Sequence, residues 1–245
     1  MPTVKVTNLN AEWMNDWFTA DADPVAFKPT FTRDGQHNHT DTTARRLADL
    51  IRAVDPDILA VQEAPSRPAE LALFVDRYLS DAGTSRYQFL MGDSGGAQKL
   101  ALLYKPTVVQ AQLVASSQLQ MLIEPWLADV DGDAVLDSYQ FTRLPLVTTV
   151  AVGQARMQVI VAHTKSNFVN HGQTLWADPA TRQSYVVAAL KNRRRIASEG
   201  MRLCSYLDSQ LQHDPTTPMI VLGDLNDGPG RDYFEEGCGS SAGTA

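Results

Sequence analysis

The sequence predicts a single α/β domain, and two recurring features of the 245-residue chain support that prediction. Short apolar runs with the length and composition of buried β-strands recur along the chain and end at polar residues. Between them lie stretches in which apolar residues recur every three or four positions, as in helices that pack one face against a sheet. Because no repeat and no internal linker interrupts this pattern, we predict one domain over residues 1–236 and an unstructured tail over residues 237–245.

The composition limits the classes of protein to which the chain can belong. Hydrophobic residues make up 44% of the chain and charged residues 20%, as in ordinary globular proteins. The net charge of −7 argues against a protein that coats nucleic acid non-specifically. It does not exclude an enzyme that acts on phosphate esters, because a bound cation can supply local positive charge. We see no signal peptide and no apolar run long enough to span a bilayer, so we predict a cytoplasmic location and no membrane span.

Two strands are predicted in the first part of the chain, and each leads to a candidate functional residue. Residues 3–10 alternate like a strand and end in Asn8-Leu-Asn10, whose two asparagines are either turn formers or polar groups at the rim of the sheet. A helix is predicted over residues 42–54, and the following segment Asp57-Ile-Leu-Ala-Val-Gln-Glu63 contains an apolar run and ends in an acid. Burying a carboxylate at the end of an apolar strand is costly, so Glu63 requires either a partner or a metal ion.

Two short motifs invite a metal-binding interpretation that the surrounding sequence does not support. The segment Gln36-His-Asn-His39 lies in a predicted irregular loop over residues 21–41, where no other residue completes a ligand set. The segment Asp129-Val-Asp-Gly-Asp133 resembles a calcium loop, but its glycine is misplaced and Gln140 stands where a glutamate is needed. We therefore predict a solvated loop for the first motif and a surface turn for the second.

The middle of the chain is predicted to be rich in strands. A helix opened by Pro65 and Pro68 comes first. Strands follow at residues 87–91, 99–104 and 107–114, and the short, turn-rich spacers between them favour antiparallel pairing of neighbours. Residues 144–152 and 156–162 form a predicted hairpin around Gly153.

The second strand of that hairpin leads to His163-Thr-Lys-Ser166. A lone histidine is more often structural than catalytic, but one followed by hydroxyl and cationic side chains at a strand's exit suits a phosphate. A helix predicted from Asp178 to about Gln212 then carries a basic run. That run, Lys191, Arg193, Arg194 and Arg195, has no interleaved aromatic residue, which favours a solvated face over a nucleic-acid patch.

The last predicted strand, residues 219–222, ends at Gly223 and is followed by Asp224, Asn226 and Asp227. Carboxylate and carboxamide oxygens at a strand's end suit a divalent cation or an attacking water. The same residues also suit an Asx turn, and this segment alone leaves both interpretations open.

Four segments of the chain, in order, resemble the motifs of the endonuclease/exonuclease/phosphatase superfamily, which has the deoxyribonuclease-I-like fold. They are Val4-Lys-Val-Thr-Asn-Leu-Asn10, Asp57-Ile-Leu-Ala-Val-Gln-Glu63, His163-Thr-Lys-Ser166 and Gly223-Asp-Leu-Asn226. The resemblance implies a four-layer α/β/β/α sandwich of two mixed β-sheets, with the active site where strands from both sheets end. It also implies a Mg²⁺-dependent phosphoester hydrolase, with Mn²⁺ as an alternative cofactor.

The resemblance further implies a role for each matching polar residue. Glu63 is the principal Mg²⁺ ligand, and Asn10 lies beside it at the metal and the phosphate. His163 hydrogen-bonds the scissile phosphate, Asp224 orients or deprotonates the attacking water, and Asn226 positions the phosphate. Lys165 and Arg143 are added as candidate phosphate contacts.

The chain departs from the family pattern after Asn226. Family members end with a Ser-Asp-His-like motif on a late strand, and no such motif follows Asn226. The resemblance therefore implies that the last strands and the last catalytic histidine are absent, and that the chain binds metal with little or no activity.

Two rival functions remain at this point. A calcineurin-like metallophosphoesterase shares the Gly-Asp-x-x-Asp pattern of residues 223–227, but its upstream and downstream motifs are missing. A non-catalytic binding protein of the same fold would explain why the last histidine is missing. It would not explain why Asn10, Glu63, His163, Asp224 and Asn226 are all present. The substrate (DNA, RNA, an inositol phosphate, a lipid or a nucleotide) stays open, because selectivity lies in loops that motifs do not reveal.

Overall fold

The structure is a computed structural model that describes residues 3–227 of the chain. The chain folds into two compact units. Within the described residues, the first comprises residues 3–119, 143–163 and 210–224, and the second comprises residues 120–142, 164–209 and 225–227. The prediction of one domain over residues 1–236 stays a prediction, and the tail predicted over residues 237–245 lies outside the described residues.

Strands and helices are present at nearly all of the predicted positions. The strands are β1 (Val6–Asn10), β2 (Thr30–Arg33), β3 (Gln36–His39), β4 (Ile58–Ala64), β5 (Ser80–Asp81), β6 (Thr84–Ser85), β7 (Gln88–Met91), β8 (Lys99–Tyr104), β9 (Gln110–Leu113), β10 (Trp126–Ala128), β11 (Asp137–Tyr139), β12 (Leu146–Val152), β13 (Ala155–His163) and β14 (Met219–Asp224). The helices are α1 (Thr40–Val54), α2 (Pro68–Tyr78), α3 (Gln120–Ile123), α4 (Gly172–Ala177) and α5 (Arg182–His213), and Met14–Trp17 and Ser116–Gln118 form 3₁₀ turns.

The first unit contains two four-stranded sheets, and both are mixed. In the sheet with the order β1-β4-β8-β7, β1 runs parallel to β4, whereas β8 pairs antiparallel with β4 and with β7. In the sheet with the order β14-β13-β12-β9, β14 runs parallel to β13, and the other pairs are antiparallel. The predicted pair of mixed sheets is confirmed.

The two sheets pack face to face because alternate residues of their strands form one apolar core. Ile58 of β4 and Leu102 of β8 enter this core from the first sheet, and Val150 and Val159 enter it from the second. The other face of β4, which carries Leu59, packs against α1 and α2, so residues 58–61 of β4 are buried on both faces and all four are apolar. The helices contribute Ala44, Ala48, Ile51, Leu71, Phe74 and Val75. The architecture is the α/β sandwich that the resemblance predicted.

Two local predictions are wrong. Strand β9 pairs with β12 of the second sheet rather than with its sequence neighbour β8, because residues 105–109 carry the chain from one sheet to the other. The region of residues 30–39 forms the β2–β3 hairpin rather than an irregular loop. Its turn is made by Asp34 and Gly35, whose φ angles of 49° and 75° are those of a tight hairpin turn.

The second unit is built around α5, the long helix predicted to end near Gln212. Trp126 of β10 donates its indole N–H to Ser198 Oγ of α5 at 2.9 Å, and the Arg202 guanidinium lies over the Trp126 ring. These contacts attach the β10–β11 hairpin to the helix. Within residues 3–227, no helix is both long enough and apolar enough to cross a membrane.

Candidate active site

Two pairs of parallel strands bring four of the predicted site residues to strand ends. The β1–β4 register pairs Asn10 with Gln62, so Asn10 lies beside the end at which β4 presents Glu63. The β13–β14 register pairs His163 with Asp224, and each is the last residue of its strand. The carboxyl end of a strand in such a sheet presents polar side chains without burying them in a core, and ligands commonly bind there.

Glu63 lies in a local irregularity of β4. The register between β4 and β8 shifts between Val61 and Ala64, and Glu63 adopts a φ of 57°, in the left-handed region that non-glycine residues rarely adopt. Such a conformation costs about 1–3 kcal/mol and persists where other contacts hold it. Here Glu63 Oε2 accepts hydrogen bonds from the backbone N–H of Trp13 at 2.8 Å and from Gln98 Nε2 at 2.6 Å. These bonds fix the carboxylate so that Oε1 faces the other site residues.

The carboxylates of Glu63 and Asp224 converge on one side-chain nitrogen. Asn10 Nδ2 donates to Glu63 Oε1 at 3.1 Å and to Asp224 Oδ2 at 3.0 Å. His163 Nε2 lies 3.9 Å from each of the same two oxygens, which is beyond hydrogen-bond range. The structure therefore brings these four predicted residues together.

His163 is a buried histidine that stays neutral at physiological pH. Its pKa is lowered from 6.5 to about 4, first because burial disfavours the charged ring and then because Arg143 is nearby, while Asp224 acts in the opposite direction. Its Nδ1 is buried and has no hydrogen-bond partner among residues 3–227. An N–H at Nδ1 would be buried without an acceptor, so the proton belongs on Nε2. His163 thus offers an Nε2–H donor.

Gln98, which the sequence did not single out, links Glu63 to Arg143. It is only 6% exposed, and its amide oxygen accepts from Arg143 Nε at 3.2 Å and from Nη2 at 2.5 Å, while its nitrogen donates to Glu63. The partners at both ends assign the orientation of the amide. No strand-end motif marks Gln98, which directly precedes β8, so its burial and its contacts are the features that reveal it.

A second polar link that was not predicted joins the two sheets. Gln62 Nε2 donates to Asn8 Oδ1 at 2.8 Å, and Asn8 Nδ2 donates to the carbonyl oxygen of Gly223 at 3.1 Å. Because Gly223 precedes Asp224, these bonds fix the end of β14 relative to β1 and β4. Asparagine is a poor strand former, so the position of Asn8 within a strand was an available signal.

Lys165 and Asn226 belong to the second unit. Asn226 has a φ of 51°, and its Nδ2 donates to the carbonyl oxygen of Thr164 at 3.1 Å. The backbone N–H of Lys165 donates to Glu199 Oε2 at 2.8 Å, and Lys165 Nζ donates to the carbonyl oxygen of Ser166 at 2.7 Å. The phosphate contacts expected of Lys165 and Asn226 stay predictions.

The histidine and aspartate motifs have local partners. His37 lies on β3, where its Nδ1 is 3.1 Å from Thr32 Oγ1. Asp129, Asp131 and Asp133 bring carboxylate oxygens within 4.8 Å of one another between β10 and β11. Asp129 accepts the Gly132 N–H at 2.7 Å, and Asp131 pairs with Arg194 at 2.8 Å, as expected of a surface turn.

The model of the endonuclease/exonuclease/phosphatase family matches residues 34–242, which is most of the chain. The chain belongs to that family. The predicted family is therefore confirmed, and three of the four segments that predicted it lie within the matched residues. No curated protein matches the chain.

Several solved structures are similar to this family member. Truncated TDP2 from Caenorhabditis elegans is 14% identical with a TM-score of 0.44, over 76% of this chain and 56% of that one. Humanized TDP2 from D. rerio is 15% identical with a TM-score of 0.44, over 92% of this chain and 63% of that one. The human Nocturnin catalytic domain with bound sulfate is 16% identical with a TM-score of 0.42, over 80% of this chain and 62% of that one. This chain thus spans less than two thirds of each of these structures, and similarity at this level carries no conclusion about activity.

The converging residues of this endonuclease/exonuclease/phosphatase family member fit a hard divalent cation. Carboxylate oxygens such as those of Glu63 and Asp224 are ligands that Mg²⁺ prefers. The carboxylates of Glu63 and Asp224 both face Asn10 Nδ2 and repel each other. The neutral ring of His163 does not reduce this repulsion. Glu63 would hold the ion through Oε1, because Oε2 already accepts two hydrogen bonds, from Trp13 and Gln98, whereas Oε1 accepts one, from Asn10.

Proposed function

We propose that this endonuclease/exonuclease/phosphatase family member is a Mg²⁺-dependent phosphoester hydrolase, with Mn²⁺ as an alternative cofactor. The observation that supports the proposal most is the convergence of Glu63 and Asp224 on Asn10 Nδ2, with His163 Nε2 3.9 Å from both carboxylates. Metal-assisted hydrolysis needs oxygen ligands for a cation, a carboxylate for the water and a donor for the phosphate. This group of residues contains one side chain for each task.

Each side chain of the group has one role in the proposed hydrolysis. Glu63 holds Mg²⁺, which, when bound, neutralises phosphate charge and favours departure of the leaving oxygen. Asp224 orients the attacking water or accepts its proton, while Asn10 keeps the Asp224 carboxylate at a fixed separation from Glu63. His163 donates its Nε2–H to a phosphate oxygen as a neutral ring, since burial lowers its pKa to about 4 in the metal-free chain.

Further contacts to the phosphate complete the proposal. Arg143, which Gln98 orients, is a candidate cationic contact. Lys165 and Asn226 keep the phosphate-binding roles that the family resemblance implies for them. The substrate class proposed is a phosphate ester, with nucleic acid among the candidates.

The test is hydrolysis of bis-(p-nitrophenyl) phosphate and of plasmid DNA by the 245-residue chain, in Mg²⁺ and in EDTA. We expect weak Mg²⁺-dependent hydrolysis that is lost in Glu63→Gln, because the variant loses a charged ligand. Calorimetry should show a parallel loss of Mg²⁺ binding. The matched control is Glu124→Gln, the same change at an exposed glutamate, which should leave both quantities unchanged.

Two outcomes would redirect the proposal. Unchanged hydrolysis in Glu63→Gln would contradict the metal assignment. Mg²⁺ binding without hydrolysis of either substrate would favour a non-catalytic binding protein that retains the same fold.

A further inference from the structure

The second unit contains a cavity of about 710 Å³, a volume typical of sites that bind small molecules. One wall is the face of α5 that carries Val187, Lys191 and Arg195. Residues 137–140, which include most of β11, form another wall, and Lys165 also lines the cavity. All of these residues belong to the second unit.

The cavity is cationic, although the whole chain carries a net charge of −7. Lys191, Arg194 and Arg195 lie on one face of α5, because residues three and four apart in a helix are neighbours. With Lys165 they place four cationic side chains on the lining, against one acidic residue, Asp137, among the described lining residues. Four positive charges and one negative charge give +3 on the lining, and the acidic partners of the arginines, Asp131 and Glu199, reduce the local net charge to +1. Three residues of the basic run, Lys191, Arg194 and Arg195, therefore line a cavity.

Two of these cations are held in place by acidic partners. Arg194 Nη2 pairs with Asp131 Oδ2 at 2.8 Å, and Arg195 Nε lies 3.5 Å from Glu199 Oε1. Glu199 is fully buried and also accepts the backbone N–H of Lys165 at 2.8 Å. The wall that these residues form is therefore fixed before a ligand arrives.

Lys191 differs from the two arginines. It is exposed, and its ammonium group forms no ion pair within residues 3–227, so its charge is not committed to the fold. Val187, one helical turn before it, is 59% exposed, and Tyr139 and Pro125 add further apolar surface to the lining. The cavity thus combines an unpaired cation with an apolar wall.

We propose that this cavity binds a phosphorylated organic molecule. The phosphate lies against Lys191, and the organic part lies against Tyr139 and Val187. A charge-assisted hydrogen bond from an ammonium group to a phosphate is among the stronger polar contacts, and the apolar wall selects an ester over the bare anion. The proposal does not depend on hydrolysis, because it requires neither Glu63 nor Asp224.

The probe is phenylphosphonate, whose carbon–phosphorus bond resists hydrolysis, added to the 245-residue chain in EDTA so that no divalent metal takes part. We expect saturable binding by calorimetry that weakens about three- to tenfold in Lys191→Gln and weakens as the salt concentration rises. Inorganic phosphate lacks the ring of the probe, and benzyl alcohol carries a ring without the phosphonate group, so both should bind more weakly than phenylphosphonate.

The matched control is Arg46→Gln, which removes one positive charge from an exposed position of α1 and should bind phenylphosphonate like the unaltered chain. Amide NMR shifts should appear at Tyr139 and Lys191. Equal binding by Lys191→Gln, shifts confined to Glu63 and Asp224, or no saturable binding at millimolar probe would overturn the proposal. Because every arm lacks metal, a failure of the proposed hydrolysis would leave this result unaffected.

Discussion

Gln98 donates a 2.6 Å hydrogen bond to Oε2 of Glu63, the residue proposed to hold the metal ion. The oxygen of the same amide accepts from Arg143, so one buried side chain orients both a carboxylate and a guanidinium. An amide engaged at both ends cannot flip without placing its nitrogen against the guanidinium and its oxygen against the carboxylate. Gln98 is therefore a positioning residue rather than a catalytic one.

Replacing Gln98 with methionine should weaken both the fold and the site. Gln98→Met keeps a similar volume but leaves Glu63 Oε2 and the Arg143 guanidinium without the bonds that Gln98 supplies. We expect the free energy of unfolding to fall by about 1–3 kcal/mol. Mg²⁺ affinity should fall about 10- to 100-fold, the range found when a partner of a metal ligand is removed. Denaturant titration and calorimetry measure the two effects.

Gln154→Met is the control for Gln98→Met, because Gln154 is exposed in the turn between β12 and β13. Its free energy of unfolding should stay within about 0.5 kcal/mol of the unaltered value. Unchanged Mg²⁺ affinity and turnover in Gln98→Met would show that the Gln98 link is not needed to position Glu63.

The strand-end residues of the site could be predicted from the sequence, and the residues that orient them could not. Glu63, His163 and Asp224 each follow an apolar run, and that pattern is local. Gln98 acts through partners 35 and 45 residues away in the chain, which no local pattern encodes. The left-handed φ of Glu63 likewise depends on the register between β4 and β8.

For the fold, too, local features could be predicted from the sequence and non-local pairings could not. Apolar runs marked the buried strands, but the pairing of β9 with β12 is non-local, and adjacency in sequence is only a tendency. The β2–β3 hairpin did carry a local signal, Asp34-Gly35, which is a strong hairpin-turn pair. The hairpin was not predicted because its strands are polar: Gln36-His-Asn-His39 shows no alternation of apolar and polar residues.

Asn10→Asp should make the stability of the chain depend more strongly on Mg²⁺. The change replaces the donor between Glu63 and Asp224 with a third carboxylate, so the metal-free protein gains like-charge repulsion. A bound cation offsets that repulsion, and a ligand at about 100 times its Kd adds about 2.7 kcal/mol of stability. Thermal unfolding in EDTA and in Mg²⁺ should therefore show a larger difference in Tm for Asn10→Asp than for the unaltered chain.

The same substitution at exposed Asn170, Asn170→Asp, should leave the difference in Tm between EDTA and Mg²⁺ as it is in the unaltered chain. A difference of the same size in all three proteins would argue that no cation binds beside Asn10.

The pKa of His163 in the metal-free chain should be near 4, against an ordinary value of 6.5. Because the folded-state pKa is lowered, the neutral ring stabilises the native state. This contribution is fully present above pH 6.5 and is lost as the pH falls from 6.5 towards 4. An NMR titration of the histidine ring measures the midpoint directly.

Two charge-removing variants should move the pKa of His163 in opposite directions. Arg143→Gln removes a charge that lowers the pKa, so the midpoint should rise. Asp224→Asn removes a charge that raises it, so the midpoint should fall. A midpoint near 6.5 in the unaltered chain, or movements opposite to these, would refute the burial and the neighbours that we assign to His163.

Gly223→Ala and Gly200→Ala should change the free energy of unfolding in opposite directions. A Cβ at Gly223 would overlap the backbone carbonyl oxygen of Ala162, its partner in the β13–β14 pairing, whereas a Cβ at Gly200 of α5 meets no atom within 4 Å. The carbonyl of Ala162 cannot move aside without disturbing the strand pairing, so we expect Gly223→Ala to lose about 1–3 kcal/mol or more. Gly200→Ala should gain about 0.5–1 kcal/mol, since alanine is the better helix former.

Because Asp224 follows Gly223 directly and pairs with His163, hydrolysis should also fall in Gly223→Ala and persist in Gly200→Ala. If urea unfolded Gly223→Ala at the same midpoint as the unaltered chain, the close parallel pairing of β13 and β14 would be wrong.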